Sequence, residues 1–110
     1  MNPKIKTKWL SALRSGEYRQ GFHHLNKNNK FCCLGVLCDL YAKENNVEWK
    51  MIREGVLRLH NSNTEALPSE VVAWAGLTGA NPIVEEAGLA RHNDRGATFT
   101  KIADMIEKNL

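Results

Sequence analysis

The sequence predicts an α+β fold in a small, mainly helical single domain. Apolar residues recur at helical spacing near both ends of the chain, and a nearly continuous apolar segment predicts a buried central helix over residues 31–44. A loosely alternating segment at about 47–60 is typical of a β-hairpin. Because 110 residues fit one hydrophobic core, we expect a single domain over residues 1–110.

Asn2 and Pro3 mark the start of the first helix. An asparagine side chain caps free N–H groups, and proline suits the first helical position. An apolar stripe at positions i, i+4, i+7 and i+8 begins at Ile5, and Gly16 can end the helix in a left-handed conformation. These signals predict a helix over Pro3–Ser15.

The central helix is predicted by the segment Phe31 to Tyr41, which is apolar on nearly all sides. Such a helix must be covered on all sides. Gly35 lies in its interior, where glycine costs about 1 kcal/mol relative to alanine. We therefore expect another element to pack closely against Gly35. Residues 17–29, rich in polar residues, are interpreted as a loop with at most one turn.

The remaining elements follow from turn residues and caps. Arg53, Glu54 and Gly55 form the turn of the predicted hairpin, and Thr98 caps a C-terminal helix over 98–108. The intervening sequence predicts a polar loop at 61–65, a short helix over Ser69–Ala75 and, at 83–89, either a third strand or a helical turn.

Composition and cysteine usage narrow the class of protein. With 43% hydrophobic and 25% charged residues, the chain has an ordinary globular composition. No segment reaches the roughly 20 apolar residues that span a bilayer, and the N-terminus lacks the features of a secretory signal. Three closely spaced cysteines are a poor disulfide framework, so we expect reduced thiols, a cytoplasmic location and no membrane partner.

The net charge of +3 is unevenly distributed along the chain. Residues 1–30 contain seven Lys or Arg and one acidic residue, whereas residues 61–110 contain four basic and seven acidic residues. A basic N-terminal segment can attract an anion, although a solvated charged face is the commoner reason for such a pattern.

The cysteines and histidines invite a metal or catalytic interpretation. Thiolates and imidazoles are zinc ligands, but on a helix Cys32 and Cys38 lie about 240° apart around the axis, so their thiols do not converge. We expect structural packing for the cysteines, with no metal, no cofactor and no catalytic residues. A nucleophilic Cys33 acting with one of the four histidines is the alternative that would make the protein an enzyme.

Residues 14–21 combine two arginines with hydroxyl, phenol and amide groups and two glycines. Arg14, Ser15, Tyr18, Arg19 and Gln20 offer donors suited to a phosphate and a surface beside a base. The alternative is that the two arginines only complement the negative C-terminal end of the first helix.

DNA is not an expected partner of this chain. Residues 97–103 resemble the first helix of a helix-turn-helix, but no residues follow Leu110 to supply a recognition helix. A second candidate over 69–88 places Pro82 where the recognition helix should begin, and Glu85 and Glu86 would face phosphates unfavourably.

Several motifs, in their order and spacing, resemble a largely uncharacterised family of small proteins encoded in tailed-bacteriophage genomes. The resemblance covers nearly the whole chain and implies a phage accessory protein that acts in the host bacterial cytoplasm. The motifs are W-x-x-A-L-R-S-G-x-Y-x-Q at 9–20, F-C-C-L-G-V-L-C-D at 31–39, Leu67-Pro68 with Trp74, and N-D-x-G-x-x-F-x-x-I-A at 93–103.

Our leading hypothesis from the sequence is a non-enzymatic protein that sequesters a small anionic, nucleotide-like ligand, such as a host immune signal. The rival is an interaction module that inhibits a host protein through an exposed face, such as the hairpin at Trp49. A homo-oligomer is compatible with either function, because so small a domain cannot enclose a large ligand. The predicted ligand-binding residues are Arg14, Ser15, Tyr18, Arg19, Gln20, Trp74, Asn93 and Asp94.

Overall fold

Five helices and two antiparallel sheets form the fold over the described residues, 1–60 and 63–110, in a computed structural model of the chain. This arrangement confirms the predicted α+β class. The helices are α1 (Pro3–Ser15), α2 (Cys33–Asn45), α3 (Ser69–Ala75), α4 (Leu89–Asp94) and α5 (Phe99–Asn109). The strands are β1 (Asn26–Lys27), β2 (Lys30–Phe31), β3 (Lys50–Arg53), β4 (Val56–Arg58), β5 (Ile83–Val84) and β6 (Ala87–Gly88).

Helix α1 has the predicted bounds and the predicted caps. The Asn2 side chain accepts hydrogen bonds from the backbone N–H groups of Lys4 and Ile5 at 2.9 and 3.1 Å, and Gly16 ends the helix at φ 78°. The buried Trp9 indole donates to the Cys33 carbonyl at 3.0 Å, which ties α1 to the start of α2.

Helix α2 is the buried centre of the molecule, but it begins later than the sequence predicted. The predicted start at Phe31 is wrong, because Phe31 belongs to strand β2 and Cys32 is the N-cap. The close approach predicted at Gly35 is confirmed, since the backbone of Leu25 lies directly against it. A side chain at this position would collide with the Leu25 carbonyl group.

The predicted hairpin is confirmed as β3 and β4, and it belongs to a larger sheet. The strand order is β2-β1-β4-β3, all antiparallel. Strand β1 lies in the segment 17–29 interpreted as a loop, so that interpretation is wrong for residues 26–27, whereas β2 consists of Lys30 and the first residue of the predicted central helix. Asn28 and Asn29 form the turn between these two strands, with positive φ values of 55° and 59°. Such values suit a type I′ turn, which joins two antiparallel strands.

The second half of the chain covers the other side of α2. Helix α3 has the predicted bounds, and α5 is capped by Thr98 as predicted. The segment 83–89 forms the small hairpin β5–β6 and then enters α4, which was not predicted. Of the predicted loop at 61–65, residues 61 and 62 lie outside the described residues.

The core surrounds α2 and joins both ends of the chain. Helices α1 and α5 pack against each other, and Trp9, Leu34, Val71, Leu89 and Ile102 are completely buried. Within the described part of the chain, no helix is both long and apolar enough to cross a membrane.

Candidate functional site

The structure distributes the eight predicted site residues over separate places instead of one cluster. Arg14 lies on the seam between α1 and α5, where its guanidinium contacts Asp104 and Glu107 at 2.7 and 3.1 Å. These carboxylates raise the pKa of Arg14 and neutralise its charge. Ser15 donates to the Ala12 carbonyl at 2.8 Å, within its own helix. Both residues therefore have structural partners.

Tyr18 and Arg19 line a cleft of about 420 Å³ beside α2. The Tyr18 hydroxyl donates to Asp39 at 2.6 Å, and Lys43 contacts the same carboxylate at 3.1 Å. Burial, followed by the Asp39 hydrogen bond, raises the pKa of Tyr18 to about 12. Because Glu17 and Asp39 balance Arg19 and Lys43, this cleft carries no net charge to attract an anion.

Gln20, Asn93 and Asp94 do come together, but they form an internal polar network. Asn93 is completely buried; its carbonyl oxygen accepts from the Cys33 backbone and from Gln20, and its amide donates to the Gly21 carbonyl. Asp94 accepts from the His23 backbone N–H at 2.9 Å. These bonds connect α4 to α2 and to the segment before β1, so their role is to hold three elements together.

Trp74 lies on α3, where its ring meets Tyr41 edge to face with centroids 5.4 Å apart. It is partly buried against the core. Trp74, predicted from the sequence as a ligand-binding residue, therefore packs against α2 through Tyr41.

The three thiols are buried, and burial raises the pKa of each. Cys33 is inaccessible and lies 3.6 Å from the Leu89 carbonyl, so it has the properties of a packed side chain. Cys32, with a pKa raised to about 11, shares a cavity with His23 and Asp94. Among residues 1–60 and 63–110, no three His, Cys, Asp or Glu side chains are grouped to hold a metal ion.

A concentration of positive charge lies on one face of the four-stranded sheet. Paired residues of adjacent strands share a face, as do residues two apart along a strand. Lys27 pairs with Lys30 on one side and with Val56 on the other, and Val56 pairs with Arg53. Arg58, two residues beyond Val56, pairs with Lys50. We call this surface the cationic face; it consists of Lys27, Lys30, Lys50, Arg53 and Arg58.

Among residues 1–60 and 63–110, the cations of this face have no neutralising partners. None of the five forms an ion pair with a carboxylate in the part of the chain that the structure describes. Four of them are exposed, and the buried Nε of Arg58 has no hydrogen-bond partner among the described residues. Like charges directly opposite each other, such as Lys27 and Lys30, destabilise a sheet, and a bound anion would relieve this repulsion.

An aromatic side chain lies at one edge of the cationic face. Residues 19–21 run parallel to β2, with the Gly21 N–H donating to the Phe31 carbonyl at 2.7 Å. This pairing places the exposed Phe22 beside Lys27 and Lys30 around a pocket of about 300 Å³, which we call the edge pocket. A side chain at Gly21 would touch the Lys30 side chain at 2.9 Å, so glycine permits this approach.

Phe22, Lys27 and Lys30 were not among the predicted site residues, and only Gln20 of that set lines the edge pocket. One signal in the sequence pointed toward them, namely the excess of basic residues in positions 1–30. Their convergence depends on the two-residue turn at 28–29 and on the parallel pairing of residues 19–21 with β2, and no alternating pattern in the sequence reveals either feature.

The fold and this surface define a small α+β domain with an open, cationic sheet face. The chain belongs to the family described as Domain of unknown function (DUF8296), whose profile matches residues 1–110. The chain matches none of the curated proteins and none of the solved structures.

Proposed function

We propose that the protein is a non-enzymatic binding protein for a small anionic, nucleotide-like ligand, which it holds in the edge pocket. The observation that carries this proposal is the pair of unneutralised lysines, Lys27 and Lys30, beside the exposed ring of Phe22. Sequestration of a host immune signal by a phage accessory protein, the hypothesis from the sequence, is one function that such a site would serve.

The pocket matches the two chemical parts of a nucleotide. Lysine ammonium groups bind phosphate oxygens through charge-assisted hydrogen bonds. Stacking of a base on an aromatic side chain contributes about 1–3 kcal/mol and tolerates any base. At 47% exposure, Phe22 offers its ring to a ligand without rearrangement of the core.

Calorimetric titration with cyclic mononucleotides and dinucleotides tests the proposal. Lys27→Ala and Lys30→Ala should each weaken binding about tenfold or more, because a hydrogen bond to a charged group contributes about 1.5–3 kcal/mol. Phe22→Ala should lower affinity by a comparable factor. The bound nucleotide should be recovered unchanged after denaturation of the protein.

Arg14→Ala tests the site predicted from the sequence, since Arg14 lies between α1 and α5 and contacts Asp104 and Glu107 there. We expect it to leave nucleotide affinity unchanged. If Arg14→Ala weakens binding while Lys27→Ala does not, the ligand occupies the site predicted from the sequence and the edge pocket is the wrong location. Absence of binding to every nucleotide tested, or chemical conversion of the nucleotide, would overturn the proposed function itself.

A second candidate function is an interaction with a host protein through the hairpin β3–β4. The edge strand β3 exposes Met51 and Ile52, at 66% and 39% of their surface. An unpaired strand edge with apolar side chains can add a strand of a partner. A complex of equal stoichiometry that survives Lys27→Ala but is lost in Met51→Ser with Ile52→Ser would favour this function over nucleotide binding.

A further inference from the structure

We infer that the cationic face binds a short single-stranded oligonucleotide, whose terminal base stacks on Phe22 and whose following phosphates contact Lys50, Arg53 and Arg58. This inference rests on the proposed function, because the edge pocket supplies the first contact. The inference extends the proposed ligand from one nucleotide to an oligonucleotide of several nucleotides.

The spread of the cations favours a ligand with several phosphates. Adjacent strands lie about 4.8 Å apart, so β2 and β3, at the two edges of the sheet, are separated by about 14 Å. One phosphate at Lys27 and Lys30 leaves the cations of β3 and β4 unoccupied. Successive phosphates of an oligonucleotide can reach both the two lysines at the edge pocket and the cations of β3 and β4.

The unpaired state of these cations favours an anionic ligand. Lys50 and Arg53 are exposed without an ion pair among the described residues, and the Arg58 Nε is buried there without an acceptor. A buried donor without an acceptor is unfavourable, and a phosphate oxygen would supply the acceptor. The acidic residues nearest in sequence, Glu48 and Glu54, flank strand β3 and lie outside the paired positions of the cationic face.

The aromatic ring distinguishes a single strand from a duplex. A base can stack on Phe22 only when its own face is free, as in an unpaired strand, whereas bases inside a duplex are stacked on each other. A helix-turn-helix recognises a duplex through a helix, so its absence among the expected motifs does not bear on binding by a sheet surface. Single-stranded binding by an open sheet with aromatic and basic side chains is therefore the mode that fits this face.

Fluorescence anisotropy of the full chain with labelled hexathymidylate, at several salt concentrations, tests the inference. Unlabelled thymidine monophosphate and a duplex of the same sequence serve as competitors. The hexamer should bind about tenfold or more tightly than the monophosphate and the duplex, and log K should fall against log salt with a slope of about −0.7 for each phosphate contacted.

The double variant Lys50→Ala with Arg53→Ala distinguishes binding of an oligonucleotide along the cationic face from binding of one nucleotide in the edge pocket. It should reduce hexamer affinity about tenfold or more and make the salt slope shallower by about 1.4, while affinity for the monophosphate stays unchanged. The matched control, Lys4→Ala with Lys108→Ala, removes two exposed lysines from α1 and α5 and should have no effect on either ligand.

Each contrary outcome has a distinct meaning. Equal affinity for hexamer and monophosphate, or an unaffected double variant, overturns the oligonucleotide inference and leaves the proposed nucleotide site standing. Equal affinity for duplex and single strand overturns the stacking argument and with it the inference. Failure of both hexamer and monophosphate to bind overturns the inference and the proposed function together.

Discussion

Gly35 fixes the distance between the central helix and the segment that leads into the sheet. A Cβ atom at this position would overlap the Leu25 carbonyl oxygen and would lie 2.7 Å from its carbonyl carbon. The obstacle is backbone, not the flexible end of a side chain. Only glycine at position 35 therefore permits the contact with Leu25, which holds α2 against the segment that leads into β1.

We expect Gly35→Ala to destabilise the protein by about 3 kcal/mol or more, although alanine is the better helix former by about 1 kcal/mol. Urea denaturation followed by circular dichroism measures the change. Gly79→Ala is the control, because no atom lies within 4 Å of a Cβ added there, and its effect should stay within about 0.5 kcal/mol. Wild-type stability in Gly35→Ala would contradict the close approach of Leu25.

Gly35 and Asn93 show what the sequence can and cannot reveal at the scale of single residues. Glycine inside an apolar helix is a local anomaly, so the sequence alone predicted a close contact. The role of Asn93 depends on Cys33 and Gln20, which lie 60 and 73 residues away along the chain. Asn93 therefore resembled a turn or ligand residue in the sequence, and its burial became visible only in the fold.

At the scale of elements, the helices with local start and stop signals were the predictable ones. Helices α1 and α3 have the predicted bounds, and α5 begins after the predicted cap, because capping side chains and terminal glycines lie next to the ends they define. The two-residue strands β1 and β2 are too short to show an alternating pattern. Strand β1 pairs with β4, and β2 pairs with β1, so neither these strands nor the cationic face could be predicted from local sequence.

Helix α2 presents three thiols that we expect to be unreactive in the folded protein. Cys32, Cys33 and Cys38 are buried, and burial raises the pKa of Cys32 to about 11 and those of the other two well above their ordinary values. Since the thiolate is the reactive form, a disulfide reagent at pH 8 should modify none of the three. In denaturant, it should modify all three.

The reaction is followed by the absorbance of the released thiolate, with the denatured protein as its internal standard. Fast modification of one thiol under native conditions would contradict the packed role of α2. Cys32→Ser and Cys33→Ser would identify the reactive residue, and loss of the fast reaction in Cys32→Ser would direct attention to the cavity shared with His23 and Asp94. That outcome would favour a cysteine-dependent enzyme acting through Cys32, whereas the enzyme considered from the sequence acts through Cys33.

At the scale of the whole molecule, the contact between α1 and α5 partly balances the uneven distribution of charge along the chain. The basic first helix packs against the last helix, where Arg14 contacts Asp104 and Glu107 and the Lys6 ammonium donates to the Glu107 carbonyl. The first helix is thus partly neutralised within the fold. The cations of the cationic face form no ion pair with the described carboxylates, which is why we propose the binding function for the sheet.

The meeting of α1 and α5 around one core predicts that the chain unfolds as a single cooperative unit. Trp9 on α1, Trp49 before β3 and Trp74 on α3 report from three parts of the molecule through fluorescence, whereas circular dichroism reports on the helices. If residues 1–110 form one domain, the two signals should give the same urea midpoint.

Ile102→Ala, which removes a completely buried side chain of α5, should shift both midpoints together by the equivalent of about 2–5 kcal/mol. Thr100→Ala, at an exposed position of the same helix, should shift neither. Separate midpoints, or an effect of Ile102→Ala on circular dichroism alone, would show that α5 unfolds independently and that the chain has more than one folding unit.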